Sequence, residues 1–323
     1  MSIADFAETV NGLGAQAKPF LFLVDFEMKR PMVFTLEEIE VNKILYEING
    51  NTNASVVAVE GTKLNLSKFP ITFNSYKDKF DSVRSHIAYG DSYLTNLTIK
   101  TRINSLLSLK EMFAVSRARY KLLYKDRFLV FSPETFVKIE DGKIYAYPMK
   151  GTIDAGVPEA SEKILADGKE MAEHVTIVDL LRNDLSAVAT NVHVTRFRYL
   201  EEIRTTEKNL LQVSSEIVGH LPDGYESKLG DIVLGLLPAG SVTGAPKLKT
   251  VTIIREAENE PRGYYTGVVG LFDGRVLDTG VMIRFIENDG GTLYYRSGGG
   301  ITIQSNPEAE YQEAIDKVYV PVN

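Results

Sequence analysis

Residues 120–147 read YKLLYKDRFLVFSPETFVKIEDGKIYAY. Short apolar and aromatic runs alternate with Lys125-Asp126 and Asp141-Gly142, pairs that suit tight reversals between antiparallel strands. Strand-like runs of the same kind recur downstream at 192–197, 210–221, 264–272, 277–287 and 292–297, and upstream at 93–102. Residues 18–60 divide into short strands at 19–25, 31–35, 41–48 and 54–60 separated by polar turns. Residues 1–73 are therefore expected to form a short β-rich N-terminal section of the same globule, ahead of a larger unit at 74–323. Helical spacing appears where Tyr76, Phe80, Val83 and Ile87 recur, with Asn74 or Ser75 as the expected cap and Gly90 as the stop. Further helices are expected at 158–188, at 227–236, from Pro246 to Glu258, and from Asn306-Pro307 to about Val318. Strands joined by hairpin turns and mixed with helices, without regular βαβ alternation, predict an α+β fold with largely antiparallel sheets.

Composition narrows the function. The chain has 323 residues, 44% hydrophobic and 24% charged, with 36 Lys and Arg against 43 Asp and Glu, a net charge of −7. This is an ordinary globular composition. A negative balance without a Lys/Arg run argues against generic nucleic-acid binding, which rests on neutralising phosphates. With no cysteine, disulfides, thiolate metal sites and a cysteine nucleophile are excluded. The longest apolar stretches, 20–24 and 232–237, fall far below the ~18 residues of a membrane span. The N-terminus lacks a basic region followed by an apolar core, so no export signal and a cytosolic protein are expected. An acidic substrate would need a locally basic pocket.

Several clusters carry candidate chemistry. Glu170, Glu173 and His174 lie within one helical turn, and Glu170 points the same way as Ile177 and Leu181, so acids continue an apolar stripe. Glu310, Glu313 and Lys317 repeat that arrangement on the last helix. Each set alone reads first as a solvated face with i,i+3 and i,i+4 ion pairing. Together, acids from two helices are suited to frame a divalent ion such as magnesium, which takes one or two protein carboxylates plus substrate oxygens. Gly240–Pro246 sets small and hydroxyl residues before a helix start, an arrangement that favours an anion. Gly298, Gly299 and Gly300 offer a second set of backbone donors, or a plain tight turn. Arg284 in a strand-like run needs an anionic partner, either Asp278 or a substrate. Lys150, if partly dry, is a candidate nucleophile, and Glu134 a candidate acid or base.

These segments resemble the chorismate-utilising enzymes, a family that includes the anthranilate, aminodeoxychorismate, isochorismate and salicylate synthases. The resemblance spans about residues 74–320 and rests on GDSYLTNLT at 90–98, FSPE at 131–134, PMKGT at 148–152 and EMAEHVTIVDLLRND at 170–184. It continues through GSVTGAPK at 240–247, DTGVMIR at 278–284, SGGGI at 297–301 and EAEYQEAIDK at 308–317. The branch most similar is aminodeoxychorismate synthase component I. The resemblance implies two large antiparallel sheets packed as a sandwich with helices outside.

It also implies roles. Glu173 and Glu313 match magnesium ligands, with Glu170 and Glu310 as the neighbouring acids. Ser241, Tyr265, Arg284, Lys317 and the amides of Gly298, Gly299 and Gly300 match positions that bind the carboxylates of chorismate, and Thr152 lies in the matching PMKGT segment. Glu134 matches a general acid/base. Lys150 matches the lysine that adds to C2 as the C4 hydroxyl leaves, before ammonia attacks C4. Anthranilate synthases have alanine there, whereas isochorismate and salicylate synthases activate water with a lysine at the position of Leu94. Gln212 replaces the family's histidine and can hydrogen-bond but not transfer a proton at neutral pH. The tryptophan-binding segment of regulated relatives is missing around Ser116–Lys121, so no tryptophan feedback is expected. Partners implied are a glutamine amidotransferase subunit that supplies ammonia and an aminodeoxychorismate lyase downstream. Anthranilate or isochorismate synthesis, or a non-catalytic chorismate-binding subunit, are the alternatives.

Overall fold

The computed structural model of the chain describes residues 1–55, 65–203 and 209–322. Two nine-stranded sheets organise it. The first runs Met149–Asp154, Leu210–His220, Lys143–Ala146, Thr135–Glu140, Leu277–Val281, Val268–Phe272, Phe20–Val24, Met32–Thr35, and Thr190–Ile203 also pairs with Leu210–His220. The second runs Gly244–Ala245, Leu94–Ser105, Thr292–Ile301, Phe285–Asp289, Phe128–Ser132, Tyr120–Tyr124, Ile44–Ile48, Asn51–Thr52, and Leu66–Phe69 also pairs with Leu94–Ser105. Every pairing is antiparallel. The α+β sandwich with helices outside is thus as expected.

Period-two alternation builds the layers. Phe20, Phe22 and Val24 face the helices outside the first sheet, while Leu21 and Leu23 join Tyr120, Leu122, Val130, Val269 and Leu271 between the sheets. Leu123, Leu129 and Phe131 point the other way, against Leu109, Met112 and Phe113. Each such side chain, fully buried, contributes about 1.5–3 kcal/mol. Strands from the N-terminal section enter both sheets, because Phe20–Val24 pairs with Val268–Phe272 and Ile44–Ile48 with Tyr120–Tyr124.

The stretch at 120–147 proves to be two hairpins in different sheets. Tyr120–Tyr124 and Phe128–Ser132 belong to the second, Thr135–Glu140 and Lys143–Ala146 to the first. The chain changes sheets at Pro133, which has no N–H to continue a ladder. The run expected as one strand at 277–287 likewise divides into Leu277–Val281 and Phe285–Asp289, one in each sheet. There Arg284 takes a positive φ of 51°, and Ile283 N–H turns back to the Val281 carbonyl at 2.9 Å. The crossovers are bonded to each other, Phe131 N–H to the Arg284 carbonyl at 3.1 Å and Val281 N–H to the Glu134 carbonyl at 3.0 Å. This pairing brings Glu134 and Arg284 to one place.

Other expectations need correction. An unforeseen helix, Ile3–Ala15, opens the chain, capped by a reciprocal Ser2/Asp5 box. The helix at 158–188 is two, Ala160–Ala166 and Gly168–Ser186, broken at Asp167, whose carboxylate caps the second through Glu170 N–H at 3.0 Å. Thr72, not Asn74 or Ser75, caps Phe73–Tyr89, which ends at left-handed Gly90. Pro246 is the cap residue of Lys247–Glu258, not its first turn. Most of the strand expected at 54–60 lies outside the described residues. Among the described residues no helix is long and apolar enough to cross a membrane.

Candidate active site

A cavity of about 430 Å³ opens beside the paired crossovers, and every residue to which the family resemblance lends a role lines it. Helix Gly168–Ser186 turns Glu170, Glu173, Ile177 and Leu181 toward it, the stripe expected from spacing. Strand Met149–Asp154 supplies Lys150 and Thr152. Its register against Leu210–His220 shifts between Met149 and Thr152, and Gly151 there has a φ of 83°, so Lys150 leaves the regular ladder. Gln212 lies directly across from Thr152. On the other side, Gly298–Gly300 run beside Leu94–Ser105 at close range: a Cβ on Gly298 would stand 2.1 Å from the Leu97 carbonyl oxygen. At Gly299 a Cβ would stand 3.4 Å from Glu310, 3.5 Å from Glu313 and 3.7 Å from the Lys317 amine, so the bare backbone faces those groups.

Cations and acids are interleaved. Lys150 Nζ donates to Glu173 Oε2 at 3.3 Å. Lys317 Nζ donates to Glu313 Oε1 at 2.6 Å and to the Gly298 carbonyl at 3.0 Å. Arg284 donates to the Lys317 carbonyl at 3.0 Å and lies over the Tyr319 ring. Ser241 Oγ donates to Glu134 Oε1 in a short hydrogen bond. Burial pushes the Glu134 carboxyl above its ordinary range, while the Ser241 bond and the charges of Lys150, Lys317 and Arg284 pull it back. Burial also raises the Tyr265 phenol to about 12, so it stays a neutral donor. Lys150, Lys317 and Arg284 bring three cationic groups to a lining that also carries five glutamates.

Four carboxylates and no sulfur are a donor set for a hard divalent cation, and they lie on the cavity wall where ligand oxygens would complete its shell. Among the described residues no three acidic or histidine side chains are gathered closely enough to hold an ion by themselves. The four acids suit such an ion in donor chemistry and line one cavity, where oxygens from a ligand would have to complete the shell.

Other parts of the sequence reading fail here. Asp278 is not the partner of Arg284; it accepts from the Tyr120 hydroxyl at 2.6 Å. The segment 240–246 contributes Ser241 and Val242 to the lining, whereas the helix start at Pro246–Lys247 lies outside it, the Lys247 amine turned to the Leu236 carbonyl and Asp184. His174 points away from the acids into the protein, fully buried, its Nε2 2.7 Å from Ser215 Oγ. Burial, then the charges of Arg198 and Lys150, lowers its pKa to about 4. Leu94 packs against Gly300 instead of lining the cavity.

Spacing gave no notice of Arg262. It is wholly buried, paired with Glu258 at 2.6 Å, and donates to the carbonyls of Val242 and Asn96 at 2.8 Å each. Glu258 in turn accepts from Thr98 N–H and Oγ at 2.9 and 2.8 Å. The pair fixes the Ser241 turn to the strand that backs the glycines. Its one sequence trace is the i,i+4 separation of an acid and a base.

The fold and the site define a class, and residues 35–323 match the chorismate binding enzyme family: the chain belongs to it. An uncharacterized PabA-like protein of Pasteurella multocida is 50% identical over 323 residues, covering all of both chains. Aminodeoxychorismate synthase component 1 of Salmonella typhimurium is 34% identical over 259 residues, 75% of this chain and 56% of that one. Anthranilate synthase component I from Streptococcus pneumoniae superimposes with a TM-score of 0.66 at 27% identity, over 80% of this chain and 59% of the other.

Proposed function

We propose that the chain is the chorismate-aminating component of an aminodeoxychorismate synthase, converting chorismate and ammonia to 4-amino-4-deoxychorismate and water. The observation that carries this reading is the Lys150 amine in the cavity beside Glu173, while position 94, where relatives that add water carry a lysine base, is leucine. In its neutral form that amine bonds to C2 while the ring double bond shifts and the C4 hydroxyl departs with a proton as water. Ammonia then bonds to C4, the double bond shifts back, and the C2–N bond breaks to return the Lys150 amine, one proton moving off the new ammonium group. Glu134 is suited to protonate the departing hydroxyl, because burial lets it keep a proton to higher pH than an ordinary carboxyl. Gln212 orients by hydrogen bonds and does not carry the proton.

Ser241, Tyr265, Arg284, Lys317 and the glycine amides hold the substrate's carboxylates. Glu173 and Glu313, with Glu170 and Glu310, would hold magnesium, which when bound supplies positive charge to the ring carboxylate. Since a cysteine nucleophile is excluded, ammonia comes from a separate glutamine amidotransferase subunit, and an aminodeoxychorismate lyase consumes the product on the way to p-aminobenzoate and folate.

Lys150→Ala tests the reading. Amination is expected to fall about a thousandfold or more, with chorismate affinity changed less than tenfold. A variant that aminates within tenfold of the parent would refute the covalent role.

A further inference from the structure

Two side-chain atoms of the cavity lining, Asn96 Oδ1 and Ser297 Oγ, are buried without a hydrogen-bond partner among the described residues. A buried polar group left unmade is costly, by an amount comparable to a lost hydrogen bond. Ser297 adjoins the glycines, and its hydroxyl can donate as their amides do. Asn96 is different. Its carbonyl oxygen can only accept, while Arg284, Lys317 and the glycine amides elsewhere in the same lining, proposed to hold the carboxylates, only donate.

The local structure explains why Asn96 stays unpaired. Its backbone is clamped on both sides, N–H to the Thr243 carbonyl and C=O from Arg262, each at 2.8 Å. Directly across the ladder stands Gly300, which has no side chain to meet it. Thr98, next on the same face, is already bonded to Glu258. Asn96 is thus held rigidly at the cavity wall with an acceptor that nothing nearby in the strand pairing satisfies. A neutral acceptor suits a small neutral donor better than it suits a dianion.

We propose that Asn96 is the binding residue for the nitrogen nucleophile, its side-chain oxygen accepting an N–H of ammonia within the cavity; this rests on the amination reading above. The test is steady-state kinetics of the full chain with ammonium as nitrogen donor and magnesium present, for the parent, Asn96→Ala and Asn96→Asp. Asn96→Ala is expected to raise KM for ammonia about tenfold, the worth of one neutral hydrogen bond, with KM for chorismate within twofold. Asn96→Asp keeps the acceptor and is expected to bring KM for ammonia back to within threefold of the parent. A purely structural role would move both KM values together and would not be rescued. An unchanged KM for ammonia in Asn96→Ala, or a rise confined to chorismate, overturns the assignment while leaving amination intact. A parent chain that makes no aminated product overturns both readings.

Discussion

The imidazole of His174 is a reporter for the packing beneath the carboxylate helix. Its folded pKa of about 4 lies below the ~6.5 of an unfolded histidine. Between those values the unfolded chain binds the extra proton, so the stability contributed by neutral His174 is present above pH ~6.5 and lost as pH falls toward 4. The loss is up to about 3 kcal/mol. Denaturant unfolding at pH 7, 6, 5 and 4 should show this slope in the parent and a shallower one in His174→Gln; equal slopes would assign the acid sensitivity elsewhere. Such a residue was only half legible. The spacing at 170–181 placed the acids on the correct face, but His174 was grouped with them because sequence neighbours within one turn look alike until the sheet behind the helix is known. Of the two partners open to Arg284, Asp278 is removed by a contact that sequence does not signal: Tyr120, 158 positions away.

At the scale of elements, the carboxylate helix depends on its own start. Asp167 accepts from Glu170 N–H, and the acids Glu170 and Glu173 sit in the first two turns. Asp167→Ala should cost about 1 kcal/mol in unfolding free energy. On the proposed reading, in which these acids hold magnesium, it should also raise the magnesium concentration for half-maximal activity more than KM for chorismate, because the fraying end is the one bearing the acids. Equal effects on both would mean that the cap serves stability alone. The buried Glu258–Arg262 pair should weigh more: Arg262→Met leaves a carboxylate uncompensated and is expected to cost about 3–5 kcal/mol, read by denaturant unfolding. Hairpins were legible from their turn pairs, and the last helix from Asn306-Pro307. The strand break within 277–287 was not, since apolar residues continue across it and the change of sheet depends on Arg284 adopting a left-handed backbone. The first helix did carry a signal, Ser2 and Asp5 ahead of Phe6, Val10 and Leu13, weakened by Asn11, Gly12 and Gly14, which disfavour helix.

Across the whole molecule, the crossovers join the two sheets and the cavity opens beside them, so a single cooperative unfolding is expected. Strand Phe20–Val24 lies inside the first sheet, buried on both faces. Phe22→Ala is therefore expected to cost about 3–5 kcal/mol and to leave a single unfolding transition by circular dichroism and tyrosine fluorescence alike. Two separated transitions would show that the N-terminal section unfolds on its own. The antiparallel α+β class followed from strand-like runs and turn chemistry, and the two-sheet sandwich from the family resemblance. The convergence of 134, 150, 173, 284 and 313 on one cavity did not, because no local pattern states which chain reversals meet, and only the family motifs connected those positions in advance.

The most direct test of the amination reading is product identification. Purified protein would be incubated with chorismate, magnesium and ammonium at alkaline pH, with and without aminodeoxychorismate lyase, and the products resolved by chromatography and mass. The expected result is p-aminobenzoate only when the lyase is present. Anthranilate or isochorismate formed by the protein alone would contradict it.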